Sequence, residues 1–274
     1  MSHIRPHVAI IGPGKVGRTL ARALERVGYE VVALVGRGDD RGAVTGAGLV
    51  LLTVADGDVA DVFASLADEG VLHPEQVVFH FSGLERSCIL EAPHLTPAGR
   101  AAVHPMMAFA DVDRALEALP GTTYGIEGDE RGILEARRLV EDLDGKAVIV
   151  PAEAKQAYHL ACVMASNGLV ALMDAAEEIT RSAGVQGEGL GSGLANLVLG
   201  TAGNVSRLGI RPAMTGPVVR GDSRTIARHL EVLERGSPGI LDAYRLLLRR
   251  LVKMSIESGR GEPELYQPIL DLLD

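Results

Sequence analysis

A doubly wound parallel α/β sheet followed by an all-α region is the fold class this sequence predicts, and three observations carry it. Short runs of consecutive apolar residues alternate with amphipathic segments as far as Val150. The first run ends in a glycine-rich turn that opens a helix. Beyond Pro151 no strand-like run recurs. Strands buried on both faces lack in/out alternation, and a strand–helix–strand order calls for right-handed crossovers and a parallel sheet. The chain has 274 residues, enough for two domains of ordinary size, placed at 1–150 and 151–274.

The runs 7–11, 30–35, 49–54, 77–81, 101–103, 122–126 and 147–150 are the predicted strands. Between them, Leu20, Ala23, Leu24 and Val27 share one helical face, as do Val59, Val62, Phe63 and Leu66. From 152 to about 183 the chain reads as one long helix without an internal proline. A glycine-rich stretch, 184–193, separates it from helices near 194–208, 223–234 and 238–258. The last of these has Ser237 as its expected cap and Pro238 in its first turn.

Composition narrows the function. Acidic residues outnumber basic ones by 36 to 27, a net charge of −9, so the phosphate-neutralising field of a nucleic-acid binder is missing. Aromatic residues make up 3% with no tryptophan, which argues against a base-stacking platform. Cys88 and Cys162 stand in no metal-ligand or disulfide pattern, which suits a reducing cytoplasm. The start, 1–6, is short and polar, unlike a signal peptide. The most apolar long stretch, 158–173, is interrupted by His159, Ser166 and Asn167 and is expected to be too short to cross a bilayer. His3 and His7 have the i, i+4 spacing of metal ligands but precede a strand, so no metal site is read there. Within 160–173 the helix is apolar almost all round and is expected to be buried on most sides. Three shorter helices offer little cover for it, so a symmetric homodimer through the helical region is expected.

Gly12, Pro13, Gly14, Lys15, Val16 and Gly17 form G-x-G-x-x-G directly between a buried strand and an amphipathic helix. In that context the first glycine allows the tight turn. The second admits a pyrophosphate to the helix N-terminus, and the third lets helix and strand pack closely. An acid holding a ribose 2′-hydroxyl is expected at the end of the second strand of an NAD site. Here Gly36-Arg37 stands there, and a guanidinium suits a 2′-phosphate, so NADP is favoured over NAD; Asp39 or Asp40 would serve the alternative. Thr53, Val54 and Ala55 close the third strand and should pass beneath the cofactor. At later strand ends, Ser82 is a candidate hydrogen-bond donor and His104 a candidate proton donor beside a carbonyl carbon. His80, flanked by Phe79 and Phe81, reads as structural. On the long helix Lys155, His159, Ser166 and Asn167 lie close to one stripe, a set able to face the nicotinamide. In the loop 215–222, Arg220 is a candidate anion-binding residue, and Asp222 is placed to cap the next helix and assist at the site.

The glycine turn, Ser82-Gly83, His104-Pro105, Tyr158-His159 with Ser166-Asn167, and the segment Thr-Gly-Pro-Val-Val-Arg-Gly-Asp at 215–222 together resemble one family. It pairs a Rossmann-like domain with a C-terminal helical domain of uncharacterised function. Its architecture is similar to that of the 6-phosphogluconate dehydrogenase-like enzymes, among them ketopantoate reductases, pyrroline-carboxylate reductases and prephenate dehydrogenases. His104-Pro105-Met106 also resembles the His-Pro-Met of prephenate dehydrogenases, although Ala108 stands where their glycine is expected. The Lys-x-x-x-Asn pair of hydroxyacid dehydrogenases is replaced by Lys155 and His159. The resemblance implies a nicotinamide-dependent oxidoreductase. The expectation is an NADPH-dependent reductase of a small carbonyl compound, a 2-oxo acid such as ketopantoate. His104 or His159 would give the proton, and Ser82 and Asn167 would orient the substrate. An imine reductase, a prephenate-type dehydrogenase and a non-catalytic NADP-binding sensor are the alternatives.

Overall fold

The structure, a computed structural model, describes residues 5–274, so His3 lies outside the described residues. Each apolar run forms a strand: β1 (Val8–Ile11), β2 (Val31–Val35), β3 (Leu49–Leu52), β4 (Val77–His80), β5 (Gly99–Pro105), β6 (Thr123–Gly128) and β7 (Lys146–Ile149). The helices are α1 (Lys15–Arg26), α2 (Val59–Asp68), α3 (Val112–Ala118), α4 (Glu130–Asp142), α5 (Lys155–Ser182), α6 (Leu190–Leu208), α7 (Ser223–Gly236), α8 (Leu241–Glu257) and α9 (Pro263–Leu273).

The strands form one sheet in the order β2-β1-β3-β4-β5-β6-β7. Successive side chains of a strand point to opposite faces, so each strand feeds two cores. Val8 and Ile10 join Leu20 and Leu24 of α1 and Leu139 of α4 on one face. Ala9 and Ile11 join Phe63 and Leu66 of α2 on the other. Strands β1 to β5 run parallel, but β6 is antiparallel to β5, and β7 is parallel to β6. The expected all-parallel order therefore fails at one step. The connection after β5 does not cross back over the sheet. Its helix α3 packs on α1, and the amide of Met106 already donates to the Thr123 carbonyl at 2.8 Å, so β6 returns from the same end.

The change from strand to helix falls at Pro151, where a 3₁₀ turn (Ala152–Ala154) leads into α5. Two compact units divide the chain inside α5, Met1–Ser166 and Asn167–Asp274. The second has its own core of Val218, Ile226, Leu230, Leu248, Val252, Tyr266, Ile269 and Leu273, from α7, α8, α9 and the loop before α7. Helix α9 was not expected from the sequence: Pro268 interrupts its pattern, yet burial of Tyr266, Ile269 and Leu273 holds it. Ser237 also departs from expectation. Its hydroxyl pairs with that of Ser182 at 3.0 Å and makes no cap.

Helix α5 differs most from its sequence reading. It is not buried within the chain: Met164 and Val170 are both 69% exposed, and Leu197 and Leu199 of α6 are similarly bare. The core of the second unit is closed by the last three helices without them. The continuous helical segment Ala152–Ser182 spans 31 residues and is, by length and composition alone, long and apolar enough to cross a membrane. The helix runs on well past the apolar stretch itself.

Candidate functional site

The turn from β1 to α1 is built by its glycines. Gly12 sits at φ +109°, and a Cβ on it would lie 2.8 Å from the Thr53 carbonyl oxygen. A Cβ on Gly17 would lie 2.1 Å from the Gly12 carbonyl oxygen and 2.6 Å from Thr53 Oγ1. Gly14 is different, since a Cβ there would meet nothing within 4 Å. Two glycines thus close the turn and the third leaves the helix N-terminus open to a ligand. Thr53 braces this turn from β3, its Oγ1 donating to the Gly12 carbonyl at 2.7 Å. Lys15 is exposed in the first turn of α1. Val16 packs toward the core, so it has only its backbone to offer.

Beside the turn lies a cavity of about 330 Å³ lined by Gly12, Pro13, Gly14, Arg37, Thr53, Val54 and Ala55, among others. These expected cofactor residues are therefore brought together. Arg37 is exposed and makes no ion pair among the described residues. The two nearby acids are engaged with the loop itself: Asp39 accepts from the Gly36 amide at 2.7 Å and Asp40 from the Gly42 amide at 2.9 Å. An open helix N-terminus beside an apolar floor at Val54 and Ala55 fits a dinucleotide.

A second cluster occupies the ends of β4 and β5 in the same sheet. Its centre is His104 on β5, whose Nδ1 lies 2.9 Å from the Tyr158 hydroxyl on α5. His159 stands edge-on to His104 with ring centroids 6.0 Å apart. Both rings border Gly83: a Cβ there would lie 2.5 Å from His159 Cδ2 and 2.9 Å from His104 Nε2. Burial, assisted by the nearby Lys155 ammonium and by His159, pushes His104 down to about 4, while Asp56 opposes the shift. His104 is neutral at pH 7. His80 is likewise pushed down to about 4 by burial and Lys155, and its Nε2 is buried without a partner, in keeping with a structural residue.

Three expected roles change. Lys155 does not face a substrate; it is 0% exposed and its Nζ donates to the Ser82 carbonyl at 3.0 Å. Burial pulls it down to about 8, against the opposing charges of Glu127 and Asp56. The reason is that the first turn of α5 packs onto the end of β4. Ser82 is buried, and its Oγ accepts from the amides of Leu84 and Glu85 at 3.1 and 2.9 Å, so the hydroxyl shapes the turn and is not presented to a substrate. Ser166 and Asn167 lie two turns beyond His159, exposed, and are not brought into the cluster; Asn167 begins the second unit.

Two participants were given no role by the sequence reading. Tyr158 stands three residues after Lys155, a spacing that places both on one helix face. Buried Glu127 on β6 accepts from the Ser87 amide at 2.6 Å and hydroxyl at 2.9 Å, and its charge supports Lys155. No local pattern marks it.

In the second unit, Asp222 caps α7 as expected, accepting from the Thr225 amide at 3.0 Å and hydroxyl at 2.7 Å. Val218 anchors the preceding loop in the core. Gly221 sits at φ +68° against Leu265, which leaves no room for a side chain. Arg220 is exposed and forms no ion pair with Asp222 among the described residues.

The family described as "Domain of unknown function (DUF2520)" matches residues 122–251. No curated protein matches. Among solved structures, protein TM1727 from Thermotoga maritima is 27% identical, with a TM-score of 0.73 over 93% of this chain and 100% of that one. A Bacteroides fragilis protein, BF3122, provisionally described as an NADP oxidoreductase, is 20% identical with a TM-score of 0.70, covering 91% of this chain and 98% of its own. The imine reductase from Myxococcus stipitatus in complex with NADP+ is 16% identical with a TM-score of 0.62, covering 98% and 100%. The chain therefore has the Rossmann-like fold of NAD(P)-dependent oxidoreductases, a mostly parallel seven-stranded sheet followed by an all-helical region.

Proposed function

We propose that this protein is an NADPH-dependent reductase that transfers hydride to a small carbonyl substrate, a 2-oxo acid of the ketopantoate type. The observation that carries the reading is the pairing, at one end of one sheet, of an open glycine turn with a half-buried cluster centred on His104. Backbone amides at Gly14 and Lys15 would hold the pyrophosphate, and Arg37 the 2′-phosphate. The bound nicotinamide supplies the hydride. His104, with His159 beside it, faces the reacting oxygen. Lys155 holds the Ser82–Gly83 peptide in place, and Gly83, having no side chain, lets the two rings pack against it. Arg220, exposed and in no ion pair among the described residues, has the chemistry to bind a carboxylate, with Asp222 capping the helix that follows its loop.

An imine is the nearest alternative substrate. A neutral His104 favours it specifically, because a protonated imine brings its own charge and asks for no imidazolium. We further propose a homodimer in which the bare apolar faces of α5 and α6 are covered by a second copy. A cytoplasmic location suits the two free cysteines, one of them exposed.

The test is NADPH oxidation across a panel of 2-oxo acids and cyclic imines, with His104→Gln as the control. Turnover that falls by about 10²-fold or more in the variant, at unchanged NADPH affinity, is expected. Tight NADPH binding with no turnover of any panel member would favour a non-catalytic sensor.

A further inference from the structure

We infer that Tyr158 is a positioning residue: its hydroxyl fixes the His104 ring in the tautomer that carries its proton on Nε2, so that His104 meets the substrate oxygen as a neutral hydrogen-bond donor. The inference rests on the reductase reading for its chemistry, but not for its geometry.

The Tyr158 hydroxyl lies 2.9 Å from His104 Nδ1 and 3.4 Å from the His104 carbonyl oxygen. It has one proton to give. A phenol is a stronger acid than a neutral imidazole N–H, and an imidazole nitrogen is a stronger base than a phenol oxygen. The proton is therefore shared toward Nδ1, the shorter contact, and Nε2 carries the ring's own proton. Tyr158 cannot turn away. Its ring rests on Gly125, where a Cβ would lie 2.4 Å from both Cζ and the hydroxyl oxygen. Gly125 is the residue of β6 directly paired with His104 of β5. The missing side chain is thus what admits the tyrosine opposite the histidine.

The other nitrogen is left available. Nε2 has no hydrogen-bond partner among the described residues, and unlike Nε2 of His80 it is not sealed in the interior. It lies against Gly83, where an added Cβ would stand 2.9 Å from it. The charged and titratable groups acting on the ring are Lys155, Tyr158 and His159 from α5 and Asp56 from the turn after β3; Cys162, also on α5, stands beside the Tyr158 hydroxyl. Lys155 and His159 oppose a second proton on the ring and only Asp56 favours it. Burial raises Tyr158, which keeps its hydroxyl protonated and able to donate. As the carbonyl carbon takes up the hydride, its π electron pair moves to oxygen. The Nε2–H of His104 steadies that oxygen until a solvent proton completes the hydroxyl.

The experiment is nitrogen-15 NMR of the histidine rings in the free protein, with His104→Gln to identify the signal. In the unmodified protein, Nδ1 of His104 is expected to show the shift of an unprotonated nitrogen and Nε2 that of a protonated one from pH 6 to 8. In Tyr158→Phe both should move toward the average of the two tautomers, and kcat should fall at least about tenfold with NADPH affinity unchanged. A protonated Nδ1 in the unmodified protein, or ring shifts unaltered in Tyr158→Phe, would overturn the inference whatever the variant does to folding or activity. Correct ring shifts with no turnover of any substrate would overturn the reductase reading and leave the Tyr158–His104 pairing standing.

Discussion

Replacing Lys155 by methionine should stabilise the protein while damaging its site. The ammonium is wholly buried, and burial lowers its pKa from 10.5 to about 8. A base that is harder to protonate when folded costs stability wherever it is charged. The sign follows from proton counting: between pH 8 and 10.5 the unfolded chain binds more protons here, so this penalty is complete below pH 8 and is relieved as pH rises. A shift of this size corresponds to about 3 kcal/mol at pH 7, falling to about 2 kcal/mol at pH 9. Methionine fills a similar volume without the charge, but it loses the bond to the Ser82 carbonyl, worth about 1.5–3 kcal/mol. Lys155→Met should therefore be neutral to modestly stabilised in urea at pH 7, and its advantage over the unmodified protein should shrink by about 1 kcal/mol at pH 9. His104 and His80 are neutral throughout that interval and do not disturb the comparison. Urea unfolding of both proteins at the two pH values measures it. A stability difference that does not change with pH would refute the reasoning, as would a variant several kcal/mol less stable at pH 7.

Four further outcomes are expected. Arg37→Asp should erase or reverse a preference for NADPH over NADH of at least tenfold, about 1.4 kcal/mol, measured by fluorescence titration; equal affinities in the unmodified protein would remove the basis for the NADP reading. Gly17→Ala should abolish dinucleotide binding, because its Cβ would meet the Gly12 carbonyl oxygen at 2.1 Å, and isothermal titration reads the loss. Asp222→Ala should lower the melting temperature through loss of its cap, read by thermal unfolding. Light scattering at micromolar concentration should give twice the chain mass of 28.9 kDa, and a monomer would contradict the dimer.

The sequence by itself determined the elements and the cofactor turn, because both are local. Seven short, mostly apolar runs became seven strands, and in the glycine turn Gly12 and Gly17 meet steric demands while Gly14 leaves the helix N-terminus open. Arg37 was likewise legible, as a strand-end residue beside a glycine turn. Tertiary structure alone decided what depends on residues far apart in the chain. The antiparallel step at β6 follows from where α3 packs, which no strand-by-strand pattern encodes. Lys155 shares a helix stripe with His159, but only docking of α5 onto the end of β4 turned it inward to the Ser82 carbonyl, 73 residues away in sequence. Tyr158 meets His104 because Gly125, on a third element, leaves room for its ring. The sequence also read the apolar girth of α5 correctly and its cover wrongly. Hydrophobicity states how much surface must leave water, whereas the packing of α7, α8 and α9 among themselves decides that this chain does not supply the cover.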